Sequence, residues 1–285
     1  MEISRKSLKR PLKAVVISDV HLGAYACKAD QLTSYLKSIN PEILVLNGDI
    51  IDVWQFSRRY FPAPHMKLVR QIIKMMEHGT QIIYIAGNHD EVLRRFAGIS
   101  LGPFSIVNKV VLTLHGEKTW IFHGDVFDGG VHRIKWLAKL GAHGYAILTL
   151  VNKMFDGFVS WFGVKRKSLS KKVQTRVEGS KIAVSNFEKT VAELAIRKGY
   201  KYAICGHIHR PEKKIIKTDK GSVTYLNSGD WVENFTALEY FGKDWNLKFW
   251  DSAEDKTLNE TSADEPFLKP YKALFMKVYK EVVGS

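Results

Sequence analysis

The stretch Gly87-Asn88-His89-Asp90 follows the apolar run Gln81-Ile82-Ile83-Tyr84-Ile85-Ala86, and this junction is the most informative region of the sequence. A short β-branched run that stops at a glycine is typical of a buried strand that ends in a loop. Helical residues follow in 91–96, which gives a strand, loop and helix succession. Ligands of open α/β sheets bind beyond the carboxyl ends of strands, so the junction predicts a functional loop. Taken alone it also fits an ordinary turn, because Gly, Asn and Asp are common turn residues.

Four other apolar runs end in the same way, in side chains of the kind that bind metals. The runs 14–17, 43–46, 120–122 and 202–205 are followed, in turn, by Asp19 and His21, by Asp49, by His123, and by His207 and His209. A lone Asp-x-His would carry little information. Five strand ends that deliver seven candidate ligands, Asn88 included, indicate a metal centre at the edge of a sheet.

The ligand types indicate the metals and the reaction. Oxygen and imidazole nitrogen without thiolate favour Mn²⁺, Fe²⁺ or Zn²⁺. Seven ligands are too many for one tetrahedral ion but suit two ions that share a bridging carboxylate. Two ions about 3.5 to 4 Å apart clamp a phosphoryl group and activate water, which predicts hydrolysis of a phosphate ester or anhydride. We expect His89 to protonate the leaving oxygen or to stabilise the charge of the transition state, and Asp90 to hold the His89 ring.

The composition fits one large domain and a reducing compartment. The chain has 285 residues, 45% of them hydrophobic, which is enough for a full core. Its net charge of +14 favours negatively charged partners: phosphates, nucleic acid or an anionic membrane surface. Two cysteines, Cys27 and Cys205, predict no disulfide framework. The N-terminal residues lack the apolar core of a secretory signal, and no run of about 20 apolar residues occurs. We therefore expect a cytoplasmic protein, soluble or peripheral on the inner face of the membrane.

The pattern of elements indicates an α/β fold. A helix with Asp30 as its cap is predicted to end at Pro41, and a second helix to end at Gly79. Hairpin signals surround 115–117, 219–221 and 242–244. We therefore expect a first half with mainly parallel strands and a second half with mainly antiparallel strands.

An insertion at about 131–198 interrupts this pattern, within a main domain of residues 1–250. Its first segment is rich in aromatic residues next to a basic cluster, and its last segment has helical spacing through Phe187, Val191 and Leu194. Ordinary packing explains the last segment. Two interpretations of the first segment stay open: core packing, or a helical cap over the site that receives acyl chains. The candidate substrate contacts in such a cap are Trp161, Phe162, Arg166 and Lys167.

Residues 251–285 form a separate C-terminal segment. An acidic linker is predicted first, and an amphipathic helix with several lysines follows it. Such a helix can dock on its own domain or lie on an anionic membrane.

The order of these motifs resembles the calcineurin-like metallophosphoesterase family, whose pattern is Asp-x-His, Gly-Asp, Gly-Asn-His-Asp, His and Gly-His-x-His. The resemblance covers roughly Leu12 to Trp250. It implies a two-sheet α/β sandwich flanked by helices. It also implies two metal positions that share Asp49 as the bridge. The first position would use Asp19, His21, Asp49 and His209, and the second would use Asp49, Asn88, His123 and His207.

Within that family the chain is most similar to the UDP-2,3-diacylglucosamine diphosphatase group of lipid A synthesis. The similarity rests on chain size, on the aromatic insertion and on the stretch 226–233. It implies Mn²⁺-dependent hydrolysis of a lipid-linked pyrophosphate to UMP and an acylated sugar phosphate. The best-established enzymes of that group have an arginine where this chain has His89, which matches the wider family pattern.

Two other function classes remain open from the sequence. A nuclease or a phosphoprotein phosphatase would use the same metals and tolerate the same charge. A nucleic-acid surface is less favoured, because it interleaves aromatic and basic residues along an open groove, whereas here they cluster in one insertion. A non-catalytic basic binding protein would not need a full set of seven candidate ligands.

Overall fold

The structure of this chain is a computed structural model that describes residues 9–55, 61–127 and 185–251. The predicted cap contacts Trp161, Phe162, Arg166 and Lys167 lie outside the described residues. The first segment of the insertion and the predicted C-terminal helix lie outside them too.

The described elements alternate strands and helices early in the chain and are mainly strands later. In chain order they are β1 (Arg10–Ile17), α1 (Ala29–Ser38), β2 (Ile39–Asn47), α2 (Ala63–Glu77), β3 (Gln81–Ile85), a 3₁₀ helix (Glu91–Phe96), β4 (Ser100–Leu101), β5 (Phe104–Val107), β6 (Val110–Leu114), β7 (Glu117–Ile121), a 3₁₀ turn (Asp125–Phe127), the helical residues α3 (185–197), β8 (Tyr202–Cys205), β9 (Glu212–Thr218), β10 (Gly221–Asn227), β11 (Thr236–Phe241) and β12 (Asp244–Phe249).

Two mixed sheets are built from these strands. The first sheet has the order β12-β11-β1-β2-β3-β5-β4, and the second has the order β6-β7-β8-β10-β9. Strands β1, β2, β3 and β5 run parallel to one another in the first sheet, and β7, β8 and β10 do so in the second. Each sheet therefore has a parallel centre whose carboxyl ends share one edge.

The core has three hydrophobic layers, as expected for two sheets that are both covered by helices. The side chains of Ala14 and Val16 pack between the two sheets, whereas those of Val15 and Ile17 pack under α1 and α2. The alternation follows the two-residue period of a strand. A third layer joins α3 to the outer face of the second sheet through Phe187, Val191, Trp120 and Tyr225, among others. Because both faces of the central strands are buried, their sequences are nearly continuous apolar runs.

Most of the elements predicted from the sequence are present. All three hairpins form, and β6 and β7 are joined by His115 and Gly116, which both have positive φ, as a tight hairpin turn requires. The second helix ends as predicted before Gly79, which has φ +92°. The packing interpretation of the last segment of the insertion is confirmed, because Phe187 and Val191 are buried in the third layer.

The expectation of a mainly antiparallel second half is confirmed, because β6 pairs with β7, β9 with β10, β11 with β12 and β1 with β11 in antiparallel orientation. Strands β7, β8 and β10 depart from it, because the long connections between them allow parallel pairing.

Two expectations about the first helix were wrong. The first helix begins at Ala29, so Asp30 lies in its first turn and is not its cap. The helix also ends earlier, at Ser38, and Pro41 lies near the start of β2. A proline is tolerated at the beginning of a strand, where few ladder hydrogen bonds depend on its nitrogen.

None of the helices within residues 9–55, 61–127 and 185–251 is long and apolar enough to cross a membrane.

Gly87 lies where the loops after β2, β3 and β7 approach one another most closely. A Cβ atom at this position would collide with Oδ1 of Asp49, and it would lie 2.6 Å from the Asp49 nitrogen and 2.8 Å from Cδ2 of His123. Gly48 has the same constraint, because a Cβ atom there would collide with the His123 ring. The two sheets can therefore meet at this edge only if these positions carry no side chain.

We expect Gly87→Ala to lower the free energy of unfolding by about 1–3 kcal/mol, the usual cost of overpacking, and to displace Asp49 and His123. Urea denaturation and metal content after incubation with Mn²⁺ measure the two effects. Gly102→Ala is the control. A Cβ atom at Gly102 meets open space, although the backbone there, at φ +58°, disfavours a side chain, so this variant can lose stability without a collision at the site. The control should keep its metal. An unchanged metal content in Gly87→Ala would show that the close approach does not shape the site.

Candidate metal centre

The predicted ligands lie at the shared carboxyl edge of the two sheets. Each predicted strand end is confirmed as the end of a strand. The first sheet supplies Asp19 and His21 after β1, Asp49 after β2, and Asn88 after β3, and the second sheet supplies His123 after β7 and His207 and His209 after β8. Residues far apart in the sequence thus meet across the sandwich.

Five of these residues have left-handed backbone conformations, which are uncommon for residues other than glycine. The φ angles are +53° at Asp19, +54° at His21, +53° at Asp49, +67° at His207 and +50° at His209. Such conformations cost about 1–3 kcal/mol each and concentrate at functional sites. These residues follow β1, β2 and β8, so the left-handed turns lie at the ends of both sheets.

A first group of possible metal-binding side chains contains Asp19, His21 and His209. One donor atom from each lies within 4.8 Å of the donor atoms of the other two. Nε2 of His209 is 3.0 Å from Oδ1 of Asp19, and Asp19 is fully buried. The other carboxylate oxygen, Oδ2, accepts a hydrogen bond of 3.1 Å from the backbone nitrogen of His207.

A second group contains Asp49, His123 and His207, all buried, with donor atoms within 4.8 Å of one another. Nε2 of His123 lies 3.3 Å from Oδ2 of Asp49, and Nδ1 of the same ring contacts the Asn47 carbonyl oxygen at 2.9 Å. The carbonyl contact places a proton on Nδ1 and directs Nε2 towards the group. Asn88 is half-buried, and its two sequence neighbours lie close to Asp49: Gly87 through its backbone and His89 through a 2.8 Å hydrogen bond from its nitrogen.

The electrostatics of the centre balance buried carboxylates against histidines. Burial would raise the pKa of Asp19, but the charge of His209 outweighs it, so the pKa of Asp19 is lowered. The pKa of Asp49 is lowered in the same way, against its burial, by His123. Burial would lower the pKa of His123, but the carboxylate of Asp49 raises it to about 10. In the metal-free protein His123 therefore supplies positive charge beside the Asp49 carboxylate.

The residues present fit a pair of divalent ions. Oδ1 of Asp19 and Nε2 of His123 are buried, and neither makes a hydrogen bond within the described part of the chain. Their contacts with Nε2 of His209 and with Oδ2 of Asp49 are ion pairs without hydrogen-bond geometry. A buried polar atom without a hydrogen bond is costly, and metal ions would satisfy both atoms. Oxygen and imidazole ligands without thiolate match Mn²⁺, Fe²⁺ or Zn²⁺. Binding of an ion would displace the proton from His123, because only the neutral ring is a ligand.

Asp52 is a site residue that the sequence interpretation missed. Its Oδ2 is 3.2 Å from Nδ1 of His89 and 3.7 Å from Nδ1 of His21, and its pKa is lowered by these contacts against the effect of burial. The Gln55 backbone nitrogen donates to Oδ1 at 3.0 Å, which fixes the carboxylate. One signal for this residue was available: Asp52 follows the candidate ligand Asp49 by only three residues.

The expectation that Asp90 holds the His89 ring was wrong. Asp90 is fully buried and points away from that ring. Its carboxylate accepts hydrogen bonds from the backbone nitrogens of Ile50 and Gly87 and from the Tyr84 hydroxyl, at 2.9, 2.6 and 2.5 Å. These donors occupy the carboxylate, so Asp90 ties the loops after β2 and β3 together while Asp52 contacts His89.

His89 lies at the mouth of the centre, half-buried between two aromatic rings. The His21 ring packs against it edge to face at a centroid distance of 4.6 Å, and the Trp54 ring lies 4.7 Å away. Trp54 is 67% exposed. Burial would lower the pKa of His89, but the contact with Asp52 outweighs it and raises the pKa. The ring is therefore biased towards its charged form while it remains accessible to a substrate.

The loop of residues 228–235, between β10 and β11, contacts residues of the first group. Asp230 is fully buried, and its Oδ2 lies 3.9 Å from Nδ1 of His209. Asn234 donates to the His209 carbonyl oxygen at 3.2 Å, and the Trp231 nitrogen donates to the Asp19 carbonyl oxygen at 3.1 Å. The loop thus holds the backbone of two candidate ligands. The sequence interpretation assigned no role to it.

Comparison with known proteins finds similar sequences along most of the chain. A UDP-2,3-diacylglucosamine hydrolase from Aliivibrio fischeri (strain MJ11) is 25% identical over 242 residues, which cover 81% of this chain and 95% of that protein. One from Shewanella sp. (strain W3-18-1) is 26% identical over 234 residues, which cover 80% of this chain and 92% of that protein. The solved structure of an archaeal phosphodiesterase is 14% identical in sequence to this chain, with a TM-score of 0.38. The match covers 84% of this chain and 99% of that structure.

The family match covers the motif-bearing region of the sequence. The model of the calcineurin-like phosphoesterase family matches residues 12–211, which include all seven predicted ligands. That match spans more than half of the chain, so this protein belongs to the calcineurin-like phosphoesterase family and is a metal-dependent phosphoesterase.

Proposed function

We propose that this phosphoesterase hydrolyses the pyrophosphate bond of UDP-2,3-diacylglucosamine to UMP and the acylated sugar phosphate. We propose two divalent ions as its cofactors, with Mn²⁺ as the first candidate, and water as the nucleophile. The observation that carries the proposal is the near full-length similarity to proteins named UDP-2,3-diacylglucosamine hydrolase. We place the reaction in the cytoplasm, at the inner face of the membrane. The net charge of +14 supports both an anionic substrate and an anionic surface.

We assign the first ion to Asp19, His21 and His209, and the second to Asn88, His123 and His207, with Asp49 as the bridge. Divalent ions bound there supply Lewis acidity towards a phosphoryl group and hydroxide at neutral pH. Asp49 suits the bridging role because it is buried between the two sheets. Its Oδ1 accepts a 2.8 Å hydrogen bond from the His89 nitrogen, and its Oδ2 faces His123.

His89 is the residue that we assign to the leaving oxygen or to the charge of the transition state. Nδ1 of His89 lies 3.2 Å from Oδ2 of Asp52, so Nε2 is the ring nitrogen that is left to contact a phosphoryl oxygen. The raised pKa of His89 favours the imidazolium form, which can donate a proton or neutralise negative charge. Asp52 acts through His89 and through His21, and it orients both rings.

The first prediction from the proposed function distinguishes a residue that bridges both ions from a ligand of one ion. Asp49→Ala should lower the affinity for both ions, whereas His21→Ala should lower mainly that for one. Elemental analysis after dialysis against Mn²⁺ counts the ions per chain. Because Asp49 is buried, Asp49→Asn serves as a second variant that keeps the side-chain volume. Two ions at full occupancy in both Asp49 variants would refute the bridging assignment.

The second prediction separates His89 from the ligands. His89→Ala should keep both ions and lose roughly 10²–10⁴-fold in rate, the usual contribution of a general acid or base. Asp52→Asn should lose less, about 10–100-fold, because it acts through neighbouring rings. His78→Ala, at an exposed histidine after α2, is the control and should change neither quantity. Loss of an ion in His89→Ala would make that residue a ligand.

The third prediction tests the substrate. Purified protein with Mn²⁺ should cleave UDP-2,3-diacylglucosamine with a larger kcat/KM than a simple aryl phosphodiester, because only the lipid-linked substrate offers remote binding energy. Mass spectrometry of the products identifies the bond that breaks. The candidate acyl and phosphate contacts from the sequence are Trp161, Phe162, Arg166 and Lys167. Trp161→Ala with Phe162→Ala, and separately Arg166→Gln with Lys167→Gln, should therefore reduce turnover of the lipid-linked substrate selectively.

Other outcomes have definite meanings. Faster cleavage of DNA or of a phosphopeptide than of the acyl sugar would assign the protein to the nuclease or phosphoprotein phosphatase alternative. Equal loss on both substrates in the two double variants would remove the assignment of these four residues to substrate binding.

A further inference from the structure

Arg94 connects the loop after β3 with the loop after β7. It lies in the 3₁₀ helix Glu91–Phe96, directly after the Gly87–Asp90 loop. Its Nη2 atom donates to the carbonyl oxygen of Ala86 at 3.3 Å and to Oδ2 of Asp125 at 2.5 Å. Ala86 precedes the loop that carries Asn88, and Asp125 follows His123 by two residues. One guanidinium nitrogen therefore joins the two backbone segments that hold Asn88 and His123.

These two segments come from different sheets. Strand β3 belongs to the first sheet and β7 to the second, so no β-ladder fixes the distance between their ends. The His123 ring is tied to β2 through the Asn47 carbonyl oxygen. The Arg94 contacts supply the corresponding tie to β3, on the side where Asn88 lies.

The environment of Arg94 favours a defined geometry. Its side chain is 32% exposed, that of Asp125 is 15% exposed, and Nε of Arg94 is buried. Screening by water is therefore weaker than for a fully exposed ion pair. The planar guanidinium loses less conformational freedom for each hydrogen bond than a lysine ammonium does. Such a contact can fix a position to a fraction of an ångström even where it adds little to the stability of the fold.

We propose that Arg94, acting through Asp125, is a positioning residue that sets the spacing between Asn88 and His123, and thereby the affinity of the second ion position. The inference rests on the ion assignment made under the proposed function. It does not depend on the substrate. Residues outside the immediate ligands commonly change metal affinity by about 10–100-fold when they are replaced.

The test is Mn²⁺ titration of the metal-free full-length chain, followed by electron paramagnetic resonance. This method reports free Mn²⁺ and the signal of an exchange-coupled pair. The variants are Arg94→Ala, Asp125→Asn and the double variant. Arg10→Ala is the matched control, because Arg10 also pairs with a carboxylate on another strand, Glu239 at 2.8 Å, but at the opposite end of β1.

We expect the parent and the Arg10→Ala control to bind two ions and to show the pair signal. Arg94→Ala should bind the first ion normally and the second about 10–100-fold more weakly, so that the pair signal returns only with excess Mn²⁺. The affinity of the double variant for the second ion should be no lower than that of either single variant, because both residues act in one contact.

Three results would overturn the proposal. Arg94→Ala could bind both ions with the affinities of the parent chain, Arg94→Ala could bind both ions equally more weakly than the parent, or the parent chain could fail to bind a second ion. Urea denaturation of each variant separates weakened binding from lost folding. Because no acyl sugar is present, failure of the proposed substrate would leave these measurements unchanged, and the two proposals can fail separately.

Discussion

Two carboxylates buried at one edge of the sandwich, Asp19 and Asp49, are the constraint on which the rest of the structure depends. An ionised carboxylate without partners is very costly in such a place, so each needs positive charge and hydrogen-bond donors from its surroundings. Asp19 receives them from His209 and the His207 nitrogen, which belong to the second sheet. Asp49 faces His123 of the second sheet and accepts a hydrogen bond from the His89 nitrogen. The two sheets must therefore meet at this edge, and the loops that supply these groups must be short and rigid.

The hydrophobic layers make that meeting possible. The inner layer fixes the distance between the sheets, and the outer layers fix each sheet against its helices. A fully buried aliphatic side chain contributes about 1.5–3 kcal/mol, and many such residues are present. This stabilisation offsets the left-handed conformations at the strand ends. The absence of side chains at Gly48 and Gly87 then allows the His123 ring to pass close to the Asp49 backbone. Core, glycines and strained turns thus form one system in which the apolar interior keeps polar groups at an otherwise unfavourable edge.

The sequence was sufficient to predict where chemistry occurs but not how the side chains point. Strand ends are readable because apolar runs stop abruptly, and all five predicted strand ends carry their candidate ligands to the same edge. Which carboxylate meets His89 was not readable. Asp90 is its neighbour in the sequence, yet successive residues in a tight loop point in different directions. The backbone donors at Ile50 and Gly87 draw Asp90 inward. Asp52 reaches His89 only because the loops after β2 and β3 lie side by side. The parallel pairing of β7, β8 and β10 likewise depends on long connections, which leave no local signal.

The hydrogen bonds across the centre join the backbones of the two ligand groups into one framework. The His207 nitrogen belongs to the second group, yet it donates to the carboxylate of Asp19 in the first. The backbone of Asp49, in the second group, accepts hydrogen bonds from the Val20 and His21 nitrogens, at 3.0 and 2.9 Å, in the loop of the first. A shift of a whole sheet edge would therefore move both groups, whereas a change at a single loop end acts mainly on the group that this loop carries. The proposed reaction needs a fixed separation of the two ions, because the attacking and leaving oxygens must be held at the same time. A shared backbone framework gives that separation a structural basis, whereas two independent sites joined by flexible loops would not.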